Sequence, residues 1–234
     1  MLVALIIFLA VFIQSSVGFG LALVSMPLLV PLLGIQTASP LVALVSMIAE
    51  LIILFRYRHA LNLRALAPLT IAAVIGIPIG VLALRNLDAS IVTTLLGVIL
   101  ILYSIYALFS PNLPELASNA WAYGFGFVAG MLGGAYNTSG PPVIMYGNFR
   151  RWPPEEFKSN LQGFFIVVGL IVIAVHAASG NITNEVWNNV LLSLPGIALG
   201  LITGFLLSKR INAKLFRKIV LVLLIVLGIR LIFS

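Results

Sequence analysis

Cysteine is absent from this chain of 234 residues, and charge is scarce, with 13 lysines and arginines and 6 aspartates and glutamates. The missing cysteine excludes disulfides, thiol catalysis and thiolate metal sites. Charged residues make up 8% of the chain and apolar residues 62%, whereas a soluble domain is about a quarter charged and about half apolar. The composition therefore excludes a soluble globular enzyme and a disordered chain.

The excess of positive charge has a pattern that argues against a nucleic-acid partner. The formal net charge is +7, but the basic residues lie in short clusters between long apolar runs, with no soluble surface to carry a basic stripe. Such spacing is typical of membrane topology, so we expect a lipid bilayer around the protein. No Lys or Arg precedes the first apolar run, which argues against a secretory signal. No nucleotide-binding motif is present, and we expect no cofactor and no metal.

The hydropathy pattern predicts an all-α polytopic membrane protein with eight apolar segments. A single span needs about 20 apolar residues, and the first and fifth segments are too long for one. Both are interrupted by Gly, Pro and hydroxyl residues, at 15–20 and at 133–142. Backbone groups freed by such breaks must line an enclosed cavity or be covered by other helices. The segments are 2–33, 38–55, 65–84, 90–109, 119–147, 159–178, 187–207 and 214–233.

Two topologies fit these segments. If all eight cross the membrane, the better orientation places nine basic residues inside and four outside. If segments one and five are re-entrant hairpins, eleven lie inside, leaving Arg85 and Arg230 outside. The second count fits the positive-inside tendency better, so we prefer hairpins, with basic loops in the cytoplasm and both termini outside. The eleven are Arg56, Arg58, Arg64, Arg150, Arg151, Lys158, Lys209, Arg210, Lys214, Arg217 and Lys218.

The two halves of the chain resemble each other. Residues 72–91 align without a gap with 196–215, and the breaks align Gly18 with Gly133 and Pro27 with Pro142. We therefore predict a first repeat over 1–109, a turn-like linker over 110–118 and a second repeat over 119–234. Close helix packing explains the aligned small residues best, whereas a binding site explains the paired breaks best. These small residues are Ala72, Gly76 and Gly80 in the first half and Gly196, Gly200 and Gly204 in the second.

Each predicted repeat is a broken or re-entrant segment followed by three transmembrane helices. With re-entrant hairpins each half crosses the membrane an odd number of times, so the two repeats are inverted. Inverted repeats with broken helices at matching positions recur in secondary transporters, with the substrate near the midplane.

The two broken stretches carry a family resemblance. Gly18-Phe19-Gly20 through Pro27, and Gly133-Gly134 through Ser139-Gly140-Pro141-Pro142, resemble the two signature segments of TauE/SafE permeases, also described as sulfite or organosulfur-anion exporters. The resemblance covers nearly the whole chain, although Phe19 and Leu21 stand where many members have Gly. It implies a bacterial or archaeal plasma-membrane transporter of small anions such as sulfite, thiosulfate or sulfonates.

The breaks supply hydrogen-bond donors suited to an oxyanion, which needs donors without a nearby carboxylate. A half-helix that begins near Pro141 directs its positive end at the break. We expect the two breaks to face each other near the midplane, bind one anion and move it by alternating access. The candidate residues are Tyr136, Asn137, Thr138, Ser139, Gly140 and Pro141 at the second break, and Gln14, Ser15, Ser16, Gly18, Gly20 and Ser25 at the first.

Further candidates lie where the next spans begin and inside the spans. For the candidates at the starts of the spans, hydrogen bonding between helices is an equally good explanation. Glu50 and His176 are ionisable residues inside spans and are candidates for proton coupling, with an interfacial role as the alternative for each. The candidates at the starts of the spans are Thr37, Ser39, Asn160 and Gln162.

The leading interpretation is a secondary transporter of a small sulfur oxyanion or organosulfonate, of the sulfite, thiosulfate or sulfoacetate type. The alternative is a passive anion channel or uniporter on the same scaffold. An enzyme is not expected, because the spans contain no paired carboxylates and no histidine cluster. The expected partners are the anion, the lipid bilayer and a coupled proton, and both a monomer and a homodimer remain open.

Overall fold

The computed structural model describes residues 1–86, 88–109, 115–116, 118–207 and 212–233. Most of the predicted linker, together with Lys209 and Arg210, lies outside the described residues, as do the side chains of Arg85, Lys214 and Arg217. No β-strand occurs within these ranges. The helices are α1 (Leu2–Val17), α2 (Leu21–Leu33), α3 (Ile35–Tyr57), α4 (Leu63–Asn86), α5 (Ala89–Phe109), α6 (Trp121–Tyr136), α7 (Gly140–Phe149), α8 (Pro154–Ala178), α9 (Asn184–Leu207) and α10 (Ala213–Ile232).

The all-helical polytopic membrane fold is confirmed. Within the described residues, four helices are long and apolar enough to cross a membrane: Ile35–Ala60, Leu63–Leu82, Pro154–Ala178 and Asn184–Leu207. Each of the two overlong predicted segments is a pair of shorter helices, α1 with α2 and α6 with α7. Each half thus has the same order: two short helices around a break, then three longer ones.

Both breaks begin at a residue in the left-handed backbone region. Gly18 has φ 93° and ends α1, and its N–H donates to the carbonyl of Gln14 at 2.7 Å. Asn137 has φ 55° and ends α6, and its N–H donates to the carbonyl of Gly133 at 2.8 Å. This region favours glycine and tolerates asparagine, so the two helices stop for the same steric reason.

The structural equivalent of Gly18 is therefore Asn137, and the predicted pairing of Gly18 with Gly133 is wrong. Gly133 lies inside α6, one turn before the break. Pro27 lies inside α2, whereas Pro142 lies in the first turn of α7, so these prolines are not equivalent either. Small residues recur every turn along these helices, and an alignment by glycines can slip by one turn without losing its matches.

The small-residue stripes hold helices from different halves together. Along α1 and α9, and along α4 and α6, facing residue numbers rise together, so both pairs are parallel. A Cβ added at most of these glycines would collide with the backbone of the facing helix. The facing residues are Gly196 with Ala4, Gly200 with Phe8 and Gly204 with Ser15, and Gly126 with Leu69, Gly130 with Ala73 and Gly134 with Ile77.

The corresponding helices α3 and α8 pack antiparallel. Ser39, near the start of α3, hydrogen-bonds His176 near the end of α8 at 3.1 Å. Beyond the end of α3, the N–H of Asn62 donates to Asn160 Oδ1 near the start of α8 at 2.9 Å. The start of α3 and the end of α8 therefore lie at one end of the bundle.

These directions make each broken pair return to the end of the bundle from which it starts. Because α1 runs parallel to α9, which follows α8, α1 starts at the same end as α3. The α6–α7 pair starts and finishes at the opposite end, beside the starts of α4 and α8. The inverted-repeat relation and the orientation in a membrane stay predictions, and these directions agree with them.

Candidate functional site

The two breaks border one small cavity between α3 and α8, near the middle of both helices. Its volume is about 30 Å³, which corresponds to about two water molecules. The lining residues are Gln14, Phe19, Gly20, Ala22 and Leu23 around the first break, Asn137, Thr138, Ser139 and Gly140 at the second, Ser46 and Glu50 on α3, and Phe165, Val168 and Gly169 on α8.

The first break is held together by two glutamine side chains. Gln14 Oε1 accepts from the N–H of Leu21 at 3.0 Å, and Gln14 Nε2 donates to Gln162 Oε1 at 3.4 Å. Gln162 Nε2 donates in turn to the carbonyl of Gly18 at 2.7 Å. The polar groups around this break are thus largely occupied by other protein groups.

The second break has a polar side chain without a partner. Asn137 Nδ2 is buried and has no hydrogen-bond partner among the described residues. Thr138 Oγ1 donates to the carbonyl of Tyr136 at 2.9 Å. Pro141 and the proline after it have no N–H, so the first turn of α7 offers fewer backbone donors than an ordinary helix start. Asn137 Nδ2 is therefore a buried hydrogen-bond donor for which the described residues supply no acceptor.

Glu50 brings a carboxyl group to the same cavity. The residue is 6% exposed, and its Oε2 has no hydrogen-bond partner within the described ranges. The Gln14 side chain lies beside this carboxyl group, and a Cβ on Gly169 would lie 3.8 Å from Oε2. Glu50 lines the cavity near the middle of α3, and this position favours a functional role for Glu50 over the interfacial alternative. The cavity thus contains a carboxyl group, whereas the expected site had donors without a nearby carboxylate.

Comparison with known proteins identifies the family. The model described as "Sulfite exporter TauE/SafE" matches residues 3–231. The chain belongs to the TauE/SafE sulfite exporter family. As a TauE/SafE protein it is a membrane transporter and not an enzyme.

A curated relative agrees with this family. The "Probable sulfite/organosulfonate exporter TauE" of Cupriavidus necator is 26% identical over 199 residues, covering 82% of this chain and 77% of that protein. No solved structure matched the chain.

Several residues predicted for the site of this TauE/SafE transporter lie outside the cavity. Ser15 donates to the carbonyl of Gly200 at 3.1 Å and packs against α9. Ser16 and Ser25 donate to backbone carbonyls one turn earlier in their own helices, at 2.7 Å each. Serine commonly forms this bond inside helices, and it occupies the hydroxyl proton. The residues predicted to bind substrate that do line the cavity are Gln14, Gly20, Asn137, Thr138, Ser139 and Gly140.

Three further predicted residues lie near the breaks but do not line the cavity. Gly18 lies at the tip of the first hairpin, where a Cβ would lie 3.0 Å from the Lys158 side chain. Tyr136 is buried next to the second break without lining the cavity. Pro141 lines an apolar groove between α5, α6 and α7.

Of the four residues predicted at the starts of the next spans, Ser39, Asn160 and Gln162 form hydrogen bonds to other segments. His176 Nε2 pairs with Ser39 and its Nδ1 lies 3.1 Å from Asn181 Nδ2, so His176 is a satisfied residue at the end of α8. Asn160 joins α8 to the residues after α3. Thr37, near the start of α3, is half-buried outside the cavity lining. In this group, Gln162 comes nearest to the cavity, through Gln14.

Sequence reasoning missed Ser46 and the apolar part of the lining. Ser46 precedes Glu50 by four residues, so the two share one face of α3. That spacing was a usable signal. The apolar residues resemble ordinary core positions and gave no signal. They are Phe19, Ala22, Leu23, Phe165, Val168 and Gly169.

Proposed function

We propose that this TauE/SafE chain is a secondary transporter of a small sulfur oxyanion or organosulfonate, such as sulfite, thiosulfate or sulfoacetate. The anion binds in the cavity between the two breaks and crosses by alternating access. The observation that carries the proposal is the unpartnered Asn137 amide, a buried donor in a cavity bordered by both breaks. An oxygen atom of a bound anion would accept the hydrogen bond that this donor can make.

Backbone groups support an anion at this position. Ala22 and Leu23 lie in the first turn of α2 and line the cavity, and first-turn N–H groups have no acceptor within their own helix. The starts of α2 and α7 both border the cavity and carry partial positive charge. The name of the Cupriavidus relative supports a sulfur anion as the substrate. The small cavity favours a compact ion, and a larger sulfonate requires the site to open.

The helix directions support alternating access and a definite orientation. The equivalent helices α3 and α8 run antiparallel, as inverted repeats require, and each hairpin packs against a helix of the other half. Basic residues of both halves gather where α3 ends and α8 begins. We assign this end to the cytoplasm of a prokaryote and both termini to the outside. These residues are Arg56, Arg58, Arg64, Arg150, Arg151 and Lys158.

The test is counterflow of labelled sulfite in proteoliposomes. Unlabelled sulfite inside should accelerate entry of the label, and the rate should saturate, because a carrier returns loaded. Replacing Asn137 and Ser139 together with Ala should reduce this rate at least tenfold, since hydrogen bonds to charged groups contribute about 1.5–3 kcal/mol each. Asn189→Ala is the matched control, because Asn189 is half-buried on α9 outside the cavity lining and its Nδ2 donates to the carbonyl of Glu185 at 3.0 Å.

Other outcomes separate the alternatives. Flux that neither saturates nor responds to sulfite on the far side indicates a channel. Saturable flux that responds to no gradient except that of the anion itself indicates a uniporter. No flux of sulfite, thiosulfate or sulfoacetate by folded protein would refute the substrate class. Unchanged flux in the double variant would refute the assigned site.

A further inference from the structure

The charge of Glu50 decides whether an anion can occupy the cavity. No lysine, arginine or histidine is among the lining residues, so no full positive charge there offsets a carboxylate. An ionised Glu50 and a bound anion would share a small, buried space, where their repulsion is poorly screened. One of the two negative charges must therefore be absent while the anion is bound.

The charged and titratable groups on the neighbouring helices do not supply the missing positive charge. The described parts of α1 and α2 contain none. His176 bonds Ser39, which is about 16 Å from Glu50 along α3. Lys158 lies near the start of α8, with its Nζ 5.2 Å from the centre of the Tyr57 ring. Among the described residues of α3, its following turn, α8 and α9, the other charged or titratable side chains are Arg56, Tyr57, Arg58 and His59 at the end of α3, Glu155, Glu156, Lys158 and His176 on α8, and Glu185 on α9.

The cavity also holds two unpartnered polar atoms of complementary kind. Asn137 Nδ2 is a donor, and Glu50 Oε2 is an acceptor when ionised and a donor when it carries a proton. An oxyanion accepts hydrogen bonds and donates few. It satisfies both atoms at once only when Glu50 is protonated.

We propose that one proton on Glu50 accompanies each bound anion, so that the protein carries the two together. This inference rests on the proposed function of the same cavity. The proton comes from water on the side where the anion binds and leaves to water on the side where the anion is released. For a monovalent anion the loaded site gains no net charge, and a pH gradient drives the anion to accumulate in the more alkaline compartment.

The direct test is proton uptake on binding, measured by calorimetry of detergent-purified protein in buffers of different ionisation enthalpy. Methanesulfonate is the probe, because its own charge is constant with pH. The full-length protein should take up one proton per bound anion, and its affinity should fall about tenfold per pH unit once Glu50 is ionised. Glu50→Gln should take up no proton, and its affinity should not vary with pH. Glu185→Gln, which neutralises an exposed carboxylate on α9, should behave like the unaltered protein.

The failures are distinguishable. Methanesulfonate binding without proton uptake would overturn the coupling and leave the proposed function intact. Binding that requires sodium, and not acid, would also overturn it. Failure to bind either methanesulfonate or sulfite would refute the proposed function and the coupling with it. If Glu50→Gln does not fold, the proton count of the unaltered protein decides alone.

Discussion

The two breaks have the same backbone form but treat their polar groups differently. Both follow a helix that ends in a left-handed residue, Gly18 in one and Asn137 in the other. At the first break, Gln14 and Gln162 occupy a backbone N–H and a carbonyl. At the second, the terminating residue itself carries an amide that no described residue bonds.

This difference suggests a structural role for the first break and a binding role for the second. A polar group bonded within the protein stabilises the fold and has little capacity left for a ligand, whereas a buried unbonded donor costs free energy until a ligand arrives. The first break is therefore a scaffold, and the second break is where we expect the anion to gain its affinity. Substitutions at the two breaks should accordingly change different quantities.

Asn137→Gly should have the largest effect on binding. Glycine adopts the left-handed conformation at φ 55° more easily than asparagine, so the end of α6 should form as before. The lost side-chain donor should weaken sulfite binding about tenfold to a hundredfold. Calorimetric titration with sulfite measures this loss, and the thermal unfolding midpoint is the control. A lower midpoint with unchanged affinity would reverse the roles assigned to the two breaks.

Gln162→Ala should act mainly on stability. It leaves the Gly18 carbonyl without its 2.7 Å hydrogen bond and removes one partner of Gln14. An unsatisfied buried group costs about 1–3 kcal/mol, so the unfolding midpoint should fall clearly. Sulfite affinity, measured below the midpoint, should change less than in Asn137→Gly. The opposite ranking would place the ligand at the first break.

Ser25→Ala should have the smallest effect. Ser25 is fully buried in α2, and its hydroxyl donates to the carbonyl of Leu21 at 2.7 Å. Because this bond stays within one helix and outside the cavity, stability should change by no more than about 0.5 kcal/mol and counterflow should be retained. Loss of sulfite counterflow in well-folded protein would instead show that Ser25 takes part in transport.

The helices and the existence of both breaks could be predicted, because they depend on composition and on Gly and Pro within apolar runs. The pairing of the breaks could not, because small residues recur each turn and allow a slip from Asn137 to Gly133. The role of Glu50 stayed open between proton coupling and an interfacial position, because the sequence does not show which part of α3 lies beside the breaks. Ser15 and Ser39 were plausible by residue type, yet helix packing gives their hydroxyl groups other partners.

The packing between halves was the least predictable feature. The glycines of α4 and α9 were recognised as packing residues, whereas Gly134 was predicted as part of the second break. The partners of all these glycines lie on helices far away in the sequence. Gly204 meets Ser15, and Gly134 meets Ile77. Such long-range pairing depends on tertiary geometry that local patterns do not contain.

The parallel pairing of α1 with α9 has a consequence for biogenesis. The stripe that receives α1 includes Gly196, Gly200 and Gly204, which are synthesised long after α1 has left the ribosome. At about 5–20 residues per second, the first hairpin waits roughly 10 to 40 s for its partner. During that interval its polar break needs shelter from lipid, either in the insertion machinery or against the early helices. The last third of the chain thus completes the burial of the first.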